Sequence, residues 1–228
     1  MVSINELIYH LDTWLNIATI KDYGPQGLQV EAERETVQRV ALAVDVSPAV
    51  IEAAAEWSAD MLIVHHGILW RNVERITGPL GRRVRLLLKH RIHLYAAHLP
   101  LDAHPELGNN AVLARLIGLP IESWWGAPTG TPLGVIGTLP TATPLSDIVA
   151  RLEQMLGHPA RVLARGRAHA NRVAILSGGG ADLVGEASAL GADTYITGET
   201  SHAHYGAASD HGVNVIFAGH YASETVGV

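Results

Sequence analysis

The sequence predicts an α/β protein of two pseudo-symmetric lobes, each with a mainly parallel sheet flanked by helices. Three observations carry this prediction. Short apolar runs at residues 40–44, 61–64 and 92–97 alternate with helical-period stretches, the pattern of βαβ units with right-handed crossovers. The βαβ pattern occurs twice along the chain. Histidines and carboxylates follow the strand runs directly, and open α/β sheets place their chemistry outside the carboxyl ends of strands.

Composition narrows the classes of function. The chain has 228 residues, 48% hydrophobic and 17% charged, enough to bury a substantial core in one large domain or two small ones. A net charge of -6 argues against broad nucleic-acid or anionic-membrane binding. With no cysteine, disulfides, thiolate metal sites and a cysteine nucleophile are excluded. Histidine is plentiful at 13, so a metal would be held by imidazole and carboxylate. The N-terminus lacks a basic segment followed by an apolar one, and no apolar run reaches membrane-spanning length, so a cytoplasmic protein without a membrane partner is expected.

The elements follow in order. Ile4, Leu7, Ile8, Leu11 and Leu15 recur at helical spacing, with Ser3 as cap and Glu6 as its box partner. Gly24, Pro25 and Gly27 break the chain before Leu28-Gln29-Val30. Residues 40–44 form a buried strand ending at Asp45, Ser47-Pro48 starts a helix, and residues 61–64 form the next strand. His65 and His66 close it, and Gly67 frees the backbone. Since alternate strand residues face opposite ways, a turn after Val64 is expected to aim both imidazoles at one place. Residues 81–91 form a helix carrying Arg82, Arg83, Arg85, Lys89 and Arg91, read as a solvated face or as an anion or nucleic-acid patch. Residues 92–97 form the third strand, and Gly108-Asn109-Asn110 leads into a helix at 111–117. Residues 121–144 change in composition, and Trp124-Trp125 with the following Gly, Pro and Thr residues reads as an exposed connection. The tryptophans there suit a subunit or substrate contact, or packing on the domain body. The lobes are accordingly set at 1–125 and 126–228, with a strand at 133–139 and a helix at 146–156 in the second.

The second lobe restates the first. The segment from Arg39, RVALAVDVSPAVIEAAAEWSAD, aligns without a gap with that from Arg172, RVAILSGGGADLVGEASALGAD. Later, the run from Ile92 to His98 resembles that from Val213 to His220 with one residue inserted, and each histidine precedes a carboxylate four residues on: His98 and Asp102, His220 and Glu224. Two such lobes facing each other would form a cleft between their strand ends. His65, His66, His98, Asp102, His220 and Glu224 thus occupy or follow strand ends. Four imidazoles and two carboxylates suit a pair of divalent transition ions, and a bridging carboxylate can help polarise a water between them. Asp102 is the expected bridge, because Glu224 lies near the chain's end, where fraying would weaken it.

These residues resemble the Nif-three-like dinuclear-metal proteins, and within them the YbgI group of type 2 GTP cyclohydrolase I homologues. The matching motifs are GLQV at 27–30, VHHG at 64–67, HLPLDAHPELGNN at 98–110, TGE at 197–199 and AGHYASE at 218–224. The resemblance implies a metal cleft between the lobes and a toroidal homohexamer. It places the family's metal ligands on the same six residues, for two divalent ions; nitrogen and oxygen ligands are compatible with iron, zinc, manganese or nickel. The family continues into a further helix after its last ligand, whereas this sequence ends at Val228.

The resemblance further implies a metal-dependent hydrolase acting through a bridging hydroxide on a nucleotide-like small molecule. Glu199, His104 and Glu106, with His202 and His204, lie in segments near the ligands and are candidates for proton transfer or for supporting the ligands. Ser177-Gly178-Gly179-Gly180 follows a strand and opens a helix, so it reads either as a tight turn or as a turn whose amides bind an anion, though without the lysine of a P-loop. The competing class is a non-catalytic ring for metal storage, sensing or regulation. A second alternative, a ring threading a nucleic-acid strand, fits poorly with the acidic net charge unless the basic helix lines the channel.

Overall fold

The structure, a computed structural model, describes residues 1–71 and 75–228. The chain forms two compact units, Met1–Leu101 together with Val228, and Asp102–Gly227.

In the first unit, β1 (Val2–Ser3), α1 (Ile4–Trp14), β2 (Gly27–Val30), β3 (Thr36–Val37), β4 (Val40–Asp45), α2 (Pro48–Glu56), β5 (Met61–His66), α3 (Gly78–Lys89) and β6 (His93–Ala96) follow in order. The short helix α4 (Leu99–Asp102) ends it. The sheet order is β2-β6-β5-β4. The three central-motif strands β4, β5 and β6 are parallel, and β2 closes one edge antiparallel to β6. Alternation along the strands sorts the core. Leu62, Val64, Leu94 and Ala96 pack with Ile51 of α2 and Leu87 of α3, whereas Met61 and Tyr95 pack on the other face with Ile4 of α1.

The second unit holds α5 (Asn109–Ile117), β7 (Ser123–Trp125), β8 (Gly134–Pro144), α6 (Leu145–Leu156), β9 (Arg161–Leu163), β10 (His169–Leu176), α7 (Val184–Ala189), β11 (Thr194–Thr197), α8 (Tyr205–His211), β12 (Asn214–Phe217) and α9 (His220–Glu224). Its sheet order is β7-β8-β10-β11-β12-β9, again with three parallel strands, β10, β11 and β12, flanked by antiparallel ones. Val173, Ile175, Ile196 and Ile216 face α5 and α6, and Ala174, Tyr195, Val215 and Phe217 face α7 and α8. Among the described residues no helix is long and apolar enough to cross a membrane.

The division differs from the expected one after Trp125. Leu113 and Ile117 of α5 are buried in the second unit's core, and β7 pairs with β8. The expected exposed connection is therefore largely structured. Trp125 is buried, donates its indole N–H to the Val135 carbonyl at 3.0 Å and meets Tyr195 edge-on, while Trp124 packs against the core.

The repeat seen in the sequence is a repeat of structure. Val40 pairs with Met61 as Val173 pairs with Thr194. The Asp60 carboxylate accepts the amides of Gln38 and Arg39, and the Asp193 carboxylate accepts those of Asn171 and Arg172. Arg39 donates to the Trp57 carbonyl, and Arg172 to the Leu190 carbonyl. His93 and Asn214 also correspond. His93 accepts the Ala32 amide at Nδ1 and meets the Arg34 carbonyl through Nε2; Asn214 accepts the Gly166 amide and donates to the Arg167 carbonyl. Burial keeps His93 below its ordinary pKa, consistent with a neutral ring that accepts at one nitrogen and donates at the other.

Burial alone would raise the Asp60 carboxyl, but the Arg39 and Gln38 amides and the Arg34 guanidinium together hold it below the usual carboxylate value. A carboxyl depressed in the folded state contributes stability that is present above its unfolded pKa of about 3.9 and is lost as pH falls through the folded value. Asp60→Asn is expected to lower unfolding stability at pH 7 by about 1–3 kcal/mol. The gap to wild type should narrow near pH 3, as read from urea midpoints at both pH values. A gap of equal size at both would contradict the assignment.

Candidate metal centre

In the first unit, β5 runs straight through both histidines, because Asp45 and His66 remain paired in the parallel ladder. The expected turn after Val64 is absent. The rings still converge beyond the strand end, with centroids 4.8 Å apart, and His98 joins them from the loop after β6 at 5.0 Å from His65 and 5.5 Å from His66. His65, His66 and His98 can each offer a ring nitrogen within 4.8 Å of the other two.

Each of these rings is held through Nδ1. His65 Nδ1 lies 3.0 Å from the Ala97 carbonyl, His66 Nδ1 2.9 Å from Asp45 Oδ1, and His98 Nδ1 2.9 Å from Asp22 Oδ1. An oxygen at Nδ1 favours the tautomer with the proton there and leaves Nε2 as the nitrogen that could take a metal. The Asp22 side chain is only 2% exposed, and its other oxygen accepts the Leu99 amide, while Gln26 accepts the His98 amide. Gln29 braces the loop after β5. Its carbonyl oxygen accepts the amides of Ile68 and Leu69, and its amide head occupies the space that a Cβ on Gly67 would fill. The glycine of the His-His-Gly motif is thus fixed by close approach of a side chain.

In the second unit, β12 ends at Phe217, and Gly219 at φ +93 turns the chain into α9, whose first residue is His220. His220 Nδ1 lies 2.8 Å from Glu199 Oε1, and Nε2 lies 3.2 Å from Glu224 Oε1. The hydrogen bond to Glu224, opposed by burial and reinforced by Glu199, pushes the imidazole up to about 9. This setting between two carboxylates favours the protonated ring, so a metal at Nε2 would compete with a proton. Glu224 is 3% exposed, so the expected fraying at this position does not occur. α9 is fastened to the Ser177–Gly180 turn: Ser223 Oγ accepts the Gly178 amide and donates to the His220 carbonyl.

That turn does not present all its amides to a ligand. The Ser177 amide donates to Asn110 Oδ1 and the Gly178 amide to Ser223 Oγ. Gly178 adopts φ +66, and a Cβ there would collide with Glu224 Oε1. The glycine makes room for the carboxylate. Asp102, also buried, accepts from Asn109 Nδ2 at 2.9 Å and Ser177 Oγ at 3.3 Å.

The remaining candidates fall into place separately. Glu199 supports His220 directly. His104 accepts the amides of Glu106 and Leu107 at Nδ1, so it closes a turn, and burial lowers its pKa. Glu106 is exposed, and its carbonyl accepts from Arg115. His202 and His204 lie in a short 3-10 turn, with His204 Nδ1 accepting the Ser201 amide. Asp22, Gln29, Asn109 and Asn110 were not predicted as parts of the site. Only the GLQV and GNN strings around three of them hinted at a role.

Imidazole nitrogens preset by oxygen partners, beside buried carboxylates, fit a divalent transition ion. Asp22→Asn is expected to weaken metal affinity by roughly 10–100-fold. A chelator-competition titration checks this, and unchanged affinity in the variant would show that Asp22 does not support His98.

Over residues 2–228 the chain matches the family described as DUF34/NIF3 (NGG1p interacting factor 3). A Deinococcus radiodurans protein named GTP cyclohydrolase 1 type 2 homolog is 42% identical, over 98% of this chain and 85% of its own length. A protein of the same name from Pyrococcus horikoshii is 44% identical, over 98% of this chain and 89% of its own length. Among solved structures, the protein ybgI, described as of unknown function, superposes with TM-score 0.93 at 38% identity, covering 100% of this chain and 90% of that one. A Thermus thermophilus protein gives TM-score 0.88 at 40% identity, with the same coverage.

Proposed function

Given that the chain belongs to the DUF34/NIF3 family, we propose that it binds two divalent metal ions and acts as a metal-dependent hydrolase on a nucleotide-like small molecule. His65, His66, His98, Asp102, His220 and Glu224 are the ligands in this reading. The observation that carries it is the histidine triplet of the first unit, each ring oriented through Nδ1 by an oxygen. Such support is what a metal site needs and what a surface histidine cluster lacks.

Bound ions would supply Lewis acidity and a water of lowered pKa. The chain's own residues supply the rest. Asp45 and Asp22 keep His66 and His98 in the tautomer that offers Nε2. Glu199 holds the proton of His220 at Nδ1 and so directs Nε2 toward ligand duty. Its largely exposed carboxylate also suits proton exchange with solvent, the role proposed for it in turnover.

Assembly into a homohexameric ring is part of the proposal. Exposed Leu42 on the edge strand β4 and exposed Trp57 at the end of α2 support self-association. The functional test is turnover by metal-loaded protein against nucleotides, phosphoesters and short peptides. Metal-dependent cleavage of a nucleotide is expected. Absence of turnover across all three sets in fully loaded protein would contradict the hydrolase reading.

A further inference from the structure

We propose that the first unit carries a phosphate-binding site beside His66, built from Arg82, Arg83 and Arg85, that holds the phosphate of a small phosphate ester. A cavity of about 800 Å³ is lined by these three arginines, by Ser47 at the start of α2, and by Asp45, His66 and Trp70. Its size suits a small molecule.

The arginine-rich segment, expected as one helix at 81–91, separates into two roles, because α3 ends at Lys89 and Arg91 lies beyond it. Arg91 donates Nε to the Glu33 carbonyl and braces a loop. Arg82, Arg83 and Arg85 instead line the cavity, and among the described residues none of them has a carboxylate partner. Arg83 is oriented by its Nη1 contact with the Val46 carbonyl at 3.4 Å. Arg82 and Arg85 are exposed, so their charges are available without a large desolvation cost. Ser47 caps α2 by accepting the Val50 amide, and the positive end of that nine-residue helix adds to the field. Guanidinium groups bind phosphate oxygens in bidentate pairs.

The cavity also contains the metal-ligand candidate His66, whose partner Asp45 is the carboxylate in the lining. Asp45 disfavours an oxyanion close to itself, which leaves the arginines to take the phosphate and the His66 side to take the uncharged, reacting part. Trp70, its ring 6.2 Å from that of His66, offers an apolar wall for that part. This last step rests on the metal reading; the phosphate site does not.

The test uses the full chain. Binding of inorganic pyrophosphate to metal-free protein is measured by calorimetry, in parallel with metal content after reconstitution. Wild type is expected to bind pyrophosphate, and Arg82→Ala/Arg85→Ala to bind it roughly 10–100-fold more weakly. The Lys pair at the same positions should recover part of the loss. Lys89→Ala, on the same helix but outside the cavity lining, should bind as wild type. No binding by wild type, or equal binding by the Ala pair, would overturn the site. Equal weakening by Lys89→Ala would reduce it to the general field of the helix and overturn it too. GTP should bind tighter than pyrophosphate, since the cavity has room beyond the phosphates; equal affinity would overturn the ester assignment. Absence of pyrophosphate binding by wild-type protein that takes up both ions rejects this site alone, whereas failure of wild type to take up metal with pyrophosphate binding intact rejects the metal reading alone.

Discussion

Asp102→Asn is expected to release one or both divalent ions while the protein stays folded. Two dications held close together repel, and a shared anionic oxygen in a water-poor site offsets part of that repulsion. Asp102 suits the task because it is buried and its Oδ1 is fixed by Asn109 and Ser177. An Asn carbonyl can keep accepting from both donors, so the local fold survives while the charge is lost. The expected weakening exceeds the roughly 10–100-fold typical of losing an outer hydrogen-bond partner. Divalent-ion titration with circular dichroism checks it. Two tightly held ions in folded Asp102→Asn, with both lost in Glu224→Gln, would move the bridging role to Glu224. The burial of Glu224 makes that a serious competitor, since its position near residue 228 does not loosen it.

Gly178→Ala is the second large effect. Gly178 sits in the left-handed region at φ +66, which costs an L-residue about 1–2 kcal/mol, and the new methyl group would strike Glu224 Oε1. His220 Nε2 lies 3.2 Å from the same methyl position. Both ligand candidates of α9 must shift, so metal affinity is expected to drop by at least tenfold, roughly 1.4 kcal/mol. Gly179→Ala is the control. Its methyl group would find no atom nearer than 3.8 Å, and its affinity should match wild type. Equal losses in both variants would contradict the role given to Gly178.

The sequence revealed those parts of the molecule whose chemistry is local. The three parallel strands of each unit follow from contiguous apolar runs, and Asp60 and Asp193 appear in the repeat because both grip the residues just before the parallel ladder begins at Val40 and Val173. The histidine pair and the two His-x-x-x-acid segments stand out because metal chemistry demands particular residue types at strand ends. The supports were hidden by sequence distance. Asp22 and His98, or Asn110 and Ser177, meet only in the fold, and nothing local to either residue signals the partner. One misreading has the same origin: the tryptophan loop looked exposed, but β7 pairs with β8. The glycine-rich turn, open in the sequence between a tight turn and an anion loop, has its Ser177 and Gly178 amides taken by Asn110 and Ser223. Strand continuation through His65 and His66 was missed because side-chain alternation was taken to forbid convergence; imidazoles at a strand end are long enough to meet beyond it.

The most direct test of the central claim is the metal content of the purified protein, by elemental analysis before and after reconstitution with a divalent transition ion. Two ions per chain are predicted. Less than one ion per chain, with no gain on reconstitution, would contradict the dinuclear centre and the hydrolase reading built on it.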